Sequence, residues 1–110
     1  MRRFNEEANG AEVAIPIGET FEICLSENPT AGFRWKLESR GEPSCVLVSE
    51  HFSLDRESPG SQGIHCWNFK ALAPGTSTIE LTYQRHWQEA PPARIFRLEI
   101  RAGDRATRDY

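Results

Sequence analysis

Apolar side chains recur at every second position along most of this chain, which is the spacing of a β-strand with one buried and one solvent-facing side. Phe33, Trp35 and Leu37, for example, alternate with charged residues, and helical spacing is hard to find. The pattern predicts seven strands, labelled A to G, centred on residues 13–17, 21–25, 33–37, 45–52, 64–71, 79–83 and 96–100.

Glycine and proline mark turns between these strands, among them Pro59-Gly60 and Pro74-Gly75. Seven short alternating strands with such turns favour an immunoglobulin-like β-sandwich of two antiparallel sheets. The antibody version joins strands B and F by a disulfide, but strand F, TIELTYQR, contains no cysteine. We therefore predict an all-β sandwich without an inter-sheet disulfide.

The length of 110 residues suits one domain with a single hydrophobic core. Both ends of the chain are polar and lack an apolar period. We predict a flexible N-terminal tail over residues 1–11, a folded domain over residues 12–101 and a flexible C-terminal tail over residues 102–110.

Charge and hydropathy argue against two classes of partner. The formal net charge is -3 and no basic run is present, so we expect no nucleic acid. No stretch approaches the roughly 20 consecutive apolar residues of a membrane span, so we expect no membrane. The start, MRRFNEEANGAE, lacks the apolar run of a signal peptide, which predicts a cytoplasmic protein or the mature form of a periplasmic or secreted one.

The cysteines and histidines show no spacing that points to a metal site or to catalysis. They are Cys24, Cys45, Cys66, His51, His65 and His86. The odd cysteine count without a CxxC pair argues against a disulfide framework and a zinc knuckle, so we expect reduced, partly buried thiols. No nucleophile has a base beside it, and His65 and Cys66 point to opposite strand faces, so we expect no metal, no cofactor, no catalytic residue and no enzyme.

The unusual residues collect at one end of the predicted sandwich. Successive connections alternate between the two ends, so the BC, DE and FG loops share one end. In the BC loop, NPTAGF, Pro29 fixes φ and Gly32 permits a positive φ, which predicts a pre-shaped loop. In the FG loop, exposure of the Trp87 side chain to water is unfavourable unless a partner covers it, which predicts a binding surface. Trp35 and Trp67 lie on apolar strand faces and are predicted core residues.

These three loops carry short motifs in a fixed order. The residues are Asn28, Pro29, Thr30, Ala31, Gly32 and Phe33 in the BC loop, Gly60, Ser61, Gln62 and Gly63 in the DE loop, and Arg85, His86 and Trp87 in the FG loop. They resemble the NPTTG, GxGG and Arg-Pro-Trp motifs of the chagasin family of cysteine-peptidase inhibitors. The pattern is not kept at three positions, where Ala31 replaces threonine, Gln62 glycine and His86 proline.

The resemblance implies a reversible, non-covalent inhibitor of papain-like, clan CA, cysteine proteases with an immunoglobulin-like fold. It implies that the BC loop enters the active-site cleft with Thr30 nearest the catalytic cysteine, while the DE and FG loops straddle the walls. We expect the inhibitor to act as a monomer.

The composition of these loops leaves two other classes open. A carbohydrate-binding or adhesion module would stack Trp87 on a sugar ring, with hydrogen bonds from Asn28, Arg85 and Gln88. A structural domain would use the same loops only to pack against a neighbour. Three motifs in register favour the inhibitor, since a generic sandwich has no reason to carry them.

Overall fold

The computed structural model describes residues 1–54, 63–85, 87 and 90–103. Its strands are β1 (Arg2–Phe4), β2 (Glu12–Pro16), β3 (Thr20–Glu27), β4 (Phe33–Arg40), β5 (Cys45–Leu54), β6 (Gly63–Ala71), β7 (Gly75–Arg85) and β8 (Arg94–Gly103). The helical segments of this part of the chain are two 3-10 turns, Glu6–Ala8 and Pro29–Ala31. No helix in it has the length and apolar character needed to span a bilayer. The predicted strands A to G correspond to β2 to β8.

Two four-stranded sheets enclose the core, with the strand orders β1-β3-β6-β5 and β2-β8-β7-β4. The prediction of an immunoglobulin-like β-sandwich is confirmed. The sheets are mixed and not purely antiparallel, because β1 pairs with β3, and β2 with β8, in the parallel direction. The prediction of two antiparallel sheets was wrong in this respect, since the N-terminal segment supplies one parallel strand to the edge of each sheet.

The first eleven residues are not the flexible tail that their polarity predicts. Phe4 packs its ring against Phe21, with ring centroids 6.3 Å apart. The carboxylate of Glu6 accepts a hydrogen bond from the backbone N–H of Ser26 at 2.6 Å. One apolar anchor and one half-buried acceptor therefore hold this segment. At the other end, β8 continues through Gly103, and residues 104–110 lie outside the described residues.

The core lies between the inner faces of the two sheets. Phe21 and Phe69 stack within it, with ring centroids 5.4 Å apart. Trp35 and Trp67 are buried, as predicted. Burial of each large apolar side chain contributes about 1.5–3 kcal/mol, so the core supplies most of the free energy that holds the sheets together.

The cysteines differ from the prediction of three reduced thiols. Cys24 and Cys66 lie directly opposite each other on β3 and β6 and form a disulfide, with Cα atoms 4.1 Å apart. Both strands belong to one sheet, so the bond does not join the two sheets. An odd cysteine count leaves room for one pair, and strand register decides which pair forms. Cys45 is the remaining thiol, and burial raises its pKa.

Titration with a thiol reagent at neutral pH should find no reactive cysteine in the native protein. Unfolding without reductant should release one thiol, Cys45, and unfolding with reductant should release all three cysteines. The raised pKa keeps native Cys45 in its unreactive neutral form until the pH is well into the alkaline range. Two or more reactive thiols in the unreduced, unfolded protein would contradict the disulfide.

Candidate functional site

Strand register places the BC, DE and FG connections at the same end of the sandwich. In one sheet, Gly63 at the start of β6 lies between Glu27 at the end of β3 and Leu54 at the end of β5. In the other sheet, Phe33 at the start of β4 pairs with Arg85 at the end of β7. We call residues 27–33, 63, 85 and 87 the tip. Of the predicted site residues, Gly60, Ser61, Gln62 and His86 lie outside the described residues.

The BC loop is a compact turn and not an extended segment. Pro29 begins a 3-10 turn that ends at Ala31, and its fixed φ suits that first position. Gly32 closes the turn with φ at 86° and donates its N–H to the carbonyl of Pro29 at 3.0 Å. A residue with a side chain is strained at this φ, so the glycine is required by the turn.

Two residues of β7 hold the BC loop from the side of the FG connection. The backbone N–H of Asn28 donates to the Tyr83 hydroxyl at 2.9 Å. The Arg85 side chain donates from Nε to the carbonyl of Ala31 at 3.0 Å, and its guanidinium lies 4.6 Å above the centre of the Phe33 ring. Arg85 thus braces the tip by a hydrogen bond and a cation–π contact.

Trp87 joins the FG connection to the BC loop directly. Its ring lies against Gly32 so closely that a Cβ atom added to Gly32 would overlap the ring carbon Cη2. The side chain is nevertheless 60% exposed, as the sequence predicts. An exposed indole seated on a rigid turn is the kind of aromatic group that anchors protein interfaces.

A buried polar network under the BC loop was missed by the sequence analysis. Glu27 is 1% exposed, and its Oε1 accepts the backbone N–H of Trp35 at 2.7 Å. His65 places Nδ1 3.2 Å from the same oxygen and Nε2 2.7 Å from Oε2 of Glu50. The sequence does contain a signal for this network, because Glu27 occupies the next inward-facing position of β3 in the alternation that begins at Phe21.

The other candidate ligands and nucleophiles do not meet in a reactive arrangement within the described chain. His51 is exposed on the outer face of β5, opposite Cys66, while His65 faces inward. Glu22 has a carboxylate oxygen within 4.8 Å of the sulfurs of Cys24 and Cys66. Those sulfurs form the disulfide, so they offer no thiolate to a metal.

Comparison with known proteins identifies the class. Residues 14–100 match the family model of the chagasin family peptidase inhibitors, I42, so the chain belongs to that family. This confirms the predicted family. It also confirms the prediction that the chain is an inhibitor of cysteine proteases and not an enzyme. The carbohydrate-binding alternative finds no support among the relatives.

The individual relatives agree with this assignment. Chagasin of Trypanosoma cruzi is 34% identical over 84 residues, which cover 72% of this chain and 76% of chagasin. Amoebiasin-1 of Entamoeba histolytica is 31% identical over 101 residues, covering 86% and 93% of the two chains. The crystal structure of EhICP2, a cysteine protease inhibitor from Entamoeba histolytica, shares the fold with a TM-score of 0.84 at 24% identity, covering 93% of this chain and 95% of that one.

Gly32→Ala should displace the Trp87 ring, because the added methyl group would occupy its place. The matched control is Gly10→Ala, where φ is 85° and no atom lies within 4 Å of the added carbon. Both changes should lower the free energy of unfolding by about 1–2 kcal/mol through backbone strain. Only Gly32→Ala should shift the indole N–H resonance of Trp87 in an NMR spectrum. An unshifted resonance would contradict the Gly32–Trp87 contact.

Proposed function

We propose that this chain inhibits papain-like cysteine proteases reversibly and without a covalent bond, by seating its BC, DE and FG loops in the active-site cleft. The observation that carries the proposal is the construction of the tip, in which a compact BC turn is braced by Arg85 and capped by the exposed Trp87. A preformed, protruding surface of this kind loses little conformational freedom on binding.

The shape of the BC loop explains how it can enter a protease without being cut. A protease of this class attacks a substrate bound in an extended conformation, with the scissile carbonyl aligned for the thiolate. The turn at Pro29–Ala31 is closed by its own backbone hydrogen bonds. Its carbonyl groups are therefore held away from the geometry of attack, and the bound loop blocks the cleft. On the family pattern, Thr30 lies nearest the catalytic cysteine.

Arg85 and Trp87 have separate roles in this proposal. Arg85 is occupied within the tip by the Ala31 carbonyl and the Phe33 ring, which favours a bracing role over a contact at the rim. Trp87 offers its exposed ring to an apolar wall of the cleft, while the DE loop lies against the opposite wall. A standard interface buries about 800 Å² of each partner, which three adjacent loops can supply.

The replacement of the family's threonine by Ala31 leaves the brace intact. Arg85 uses the backbone carbonyl at this position, which any residue provides. The Ala31 side chain is itself exposed, so the missing hydroxyl is a change in the surface offered to the protease. We expect this difference to alter which protease is preferred more than it alters the mode of binding.

The direct test is titration of papain with the purified chain, followed with a fluorogenic peptide. The proposal predicts a stoichiometric loss of activity that is regained on dilution. Full activity at micromolar concentrations of the chain would overturn the proposal.

Trp87→Ala should weaken inhibition of papain by about 2 kcal/mol, or about thirtyfold in the inhibition constant, which is the scale of an interface hot spot. Leu72→Ala is the matched control, because Leu72 is also a large exposed apolar residue but lies in the turn between β6 and β7 at the opposite end. The control should inhibit like the parent chain. Equal inhibition constants for all three proteins would refute the anchor role of Trp87.

Thr30→Arg should abolish inhibition and leave the thermal unfolding temperature unchanged, because a bulky charge at the leading turn would have to enter the cleft. Thr76→Arg introduces the same charge at an exposed position near the start of β7, at the other end of the sandwich, and should leave inhibition intact. Inhibition constants and melting curves measure the two effects separately. Loss of the folded state in Thr30→Arg would instead indicate that this position supports the fold.

A further inference from the structure

Glu27 is a buried glutamate at the end of the strand that leads into the BC loop. It ends β3, directly before the BC loop, and has the most deeply buried charged side chain in the described part of the protein. Burial of a carboxylate is costly unless hydrogen bonds replace its water. Here the backbone N–H of Trp35, at 2.7 Å, and the ring of His65, at 3.2 Å, provide that replacement.

The Glu27 contacts connect the two stems of the BC loop. The stem before the loop belongs to β3 in one sheet, and the stem after it belongs to β4 in the other. No strand ladder joins β3 to β4, so side chains must set the distance between the stems. Two hydrogen bonds of Trp35 cross this gap, from its backbone N–H to Glu27 and from its indole Nε1 to the carbonyl of Ser26 at 2.8 Å.

The carboxylate of Glu27 is itself held in place. The ring of His65 stacks on Trp67, with centroids 4.0 Å apart. Its second nitrogen lies 2.7 Å from the carboxylate of Glu50 on the edge strand β5. A chain of contacts thus runs from Glu50 through His65 to Glu27 and on to the backbone of β4, so the carboxylate has one favoured orientation.

We propose that Glu27 is a positioning residue for protease inhibition, which fixes the spacing of the BC-loop stems and so keeps the loop in its uncleavable turn. This inference rests on the proposed inhibition of papain-like proteases and extends it to a residue outside the loop motifs. A loosened loop would sample extended conformations, and these are the ones a protease can cut.

The test compares Glu27→Ala, Glu27→Gln and Glu22→Ala as inhibitors of papain. Glutamine keeps an oxygen that can accept the Trp35 N–H, whereas alanine does not. Glu22 is the matched control because it is also a buried glutamate of β3, but it faces outward and pairs with Arg3 at 2.7 Å. Melting curves report the stability of each variant, and mass spectrometry locates any cleavage by papain.

Glu27→Ala should weaken inhibition at least about tenfold, mainly through faster dissociation, and should be cut by papain within residues 28–33. Glu27→Gln should stay within about threefold of the parent chain and remain uncut. Glu22→Ala should lose stability yet inhibit normally. Inhibition by Glu27→Ala equal to that of the parent would overturn the inference alone. Failure of the parent chain to inhibit would overturn the proposed function, and this inference with it.

If Glu27→Ala does not fold, hydrogen exchange in the parent chain tests the positioning role of Glu27 instead. The backbone N–H of Trp35 should exchange as slowly as the amides inside the strand ladders, because a buried carboxylate accepts it. His65→Phe, which keeps a ring to stack on Trp67 but has no ring nitrogen, should speed that exchange and weaken inhibition about threefold or more. Exchange of the Trp35 amide as fast as that of an exposed loop amide would overturn the inference.

Discussion

The structure depends on one constraint, which is that the two sheets of a sandwich share a core but no backbone hydrogen bonds. The strand ladders therefore do not set the position of a loop that crosses from one sheet to the other, and in the BC loop side chains supply much of that support. The BC loop makes this crossing between β3 and β4, and it is fixed by the carboxylates of Glu6 and Glu27, the hydroxyl of Tyr83 and the guanidinium of Arg85. Each of these groups satisfies a backbone N–H or carbonyl that would otherwise need water.

The same contacts connect the fold to inhibition. A flexible loop of this sequence would lose conformational entropy on binding and would adopt the extended conformations that a protease cleaves. Holding the turn in advance removes both difficulties, and Trp87 then needs only to add affinity at the edge of a surface that is already formed. The disulfide between Cys24 and Cys66 ties β3 to β6 below the same tip, where the BC and DE loops begin and end.

The sequence predicted the parts of this arrangement that depend on local pattern. Alternation identified the strands, and the positions of Trp35, Trp67 and Trp87 followed from it. Pairing between distant segments was not predictable. The Cys24–Cys66 bond depends on the register of β3 against β6, and β1 is a three-residue strand with Phe4 as its only apolar side chain. Glu27 fits the inward alternation of its strand, but nothing local reveals the amide of Trp35 that makes its burial tolerable.

The central claim is that the tip occupies a protease cleft as a rigid, uncut wedge. The most direct measurement is to hold a stoichiometric complex with papain for many hours, separate the partners and determine the intact mass of each together with the recovered activity of the enzyme. The account predicts an unmodified, full-length inhibitor and an enzyme that regains its activity. Cleavage within residues 28–33, or a covalent adduct on the enzyme, would contradict it.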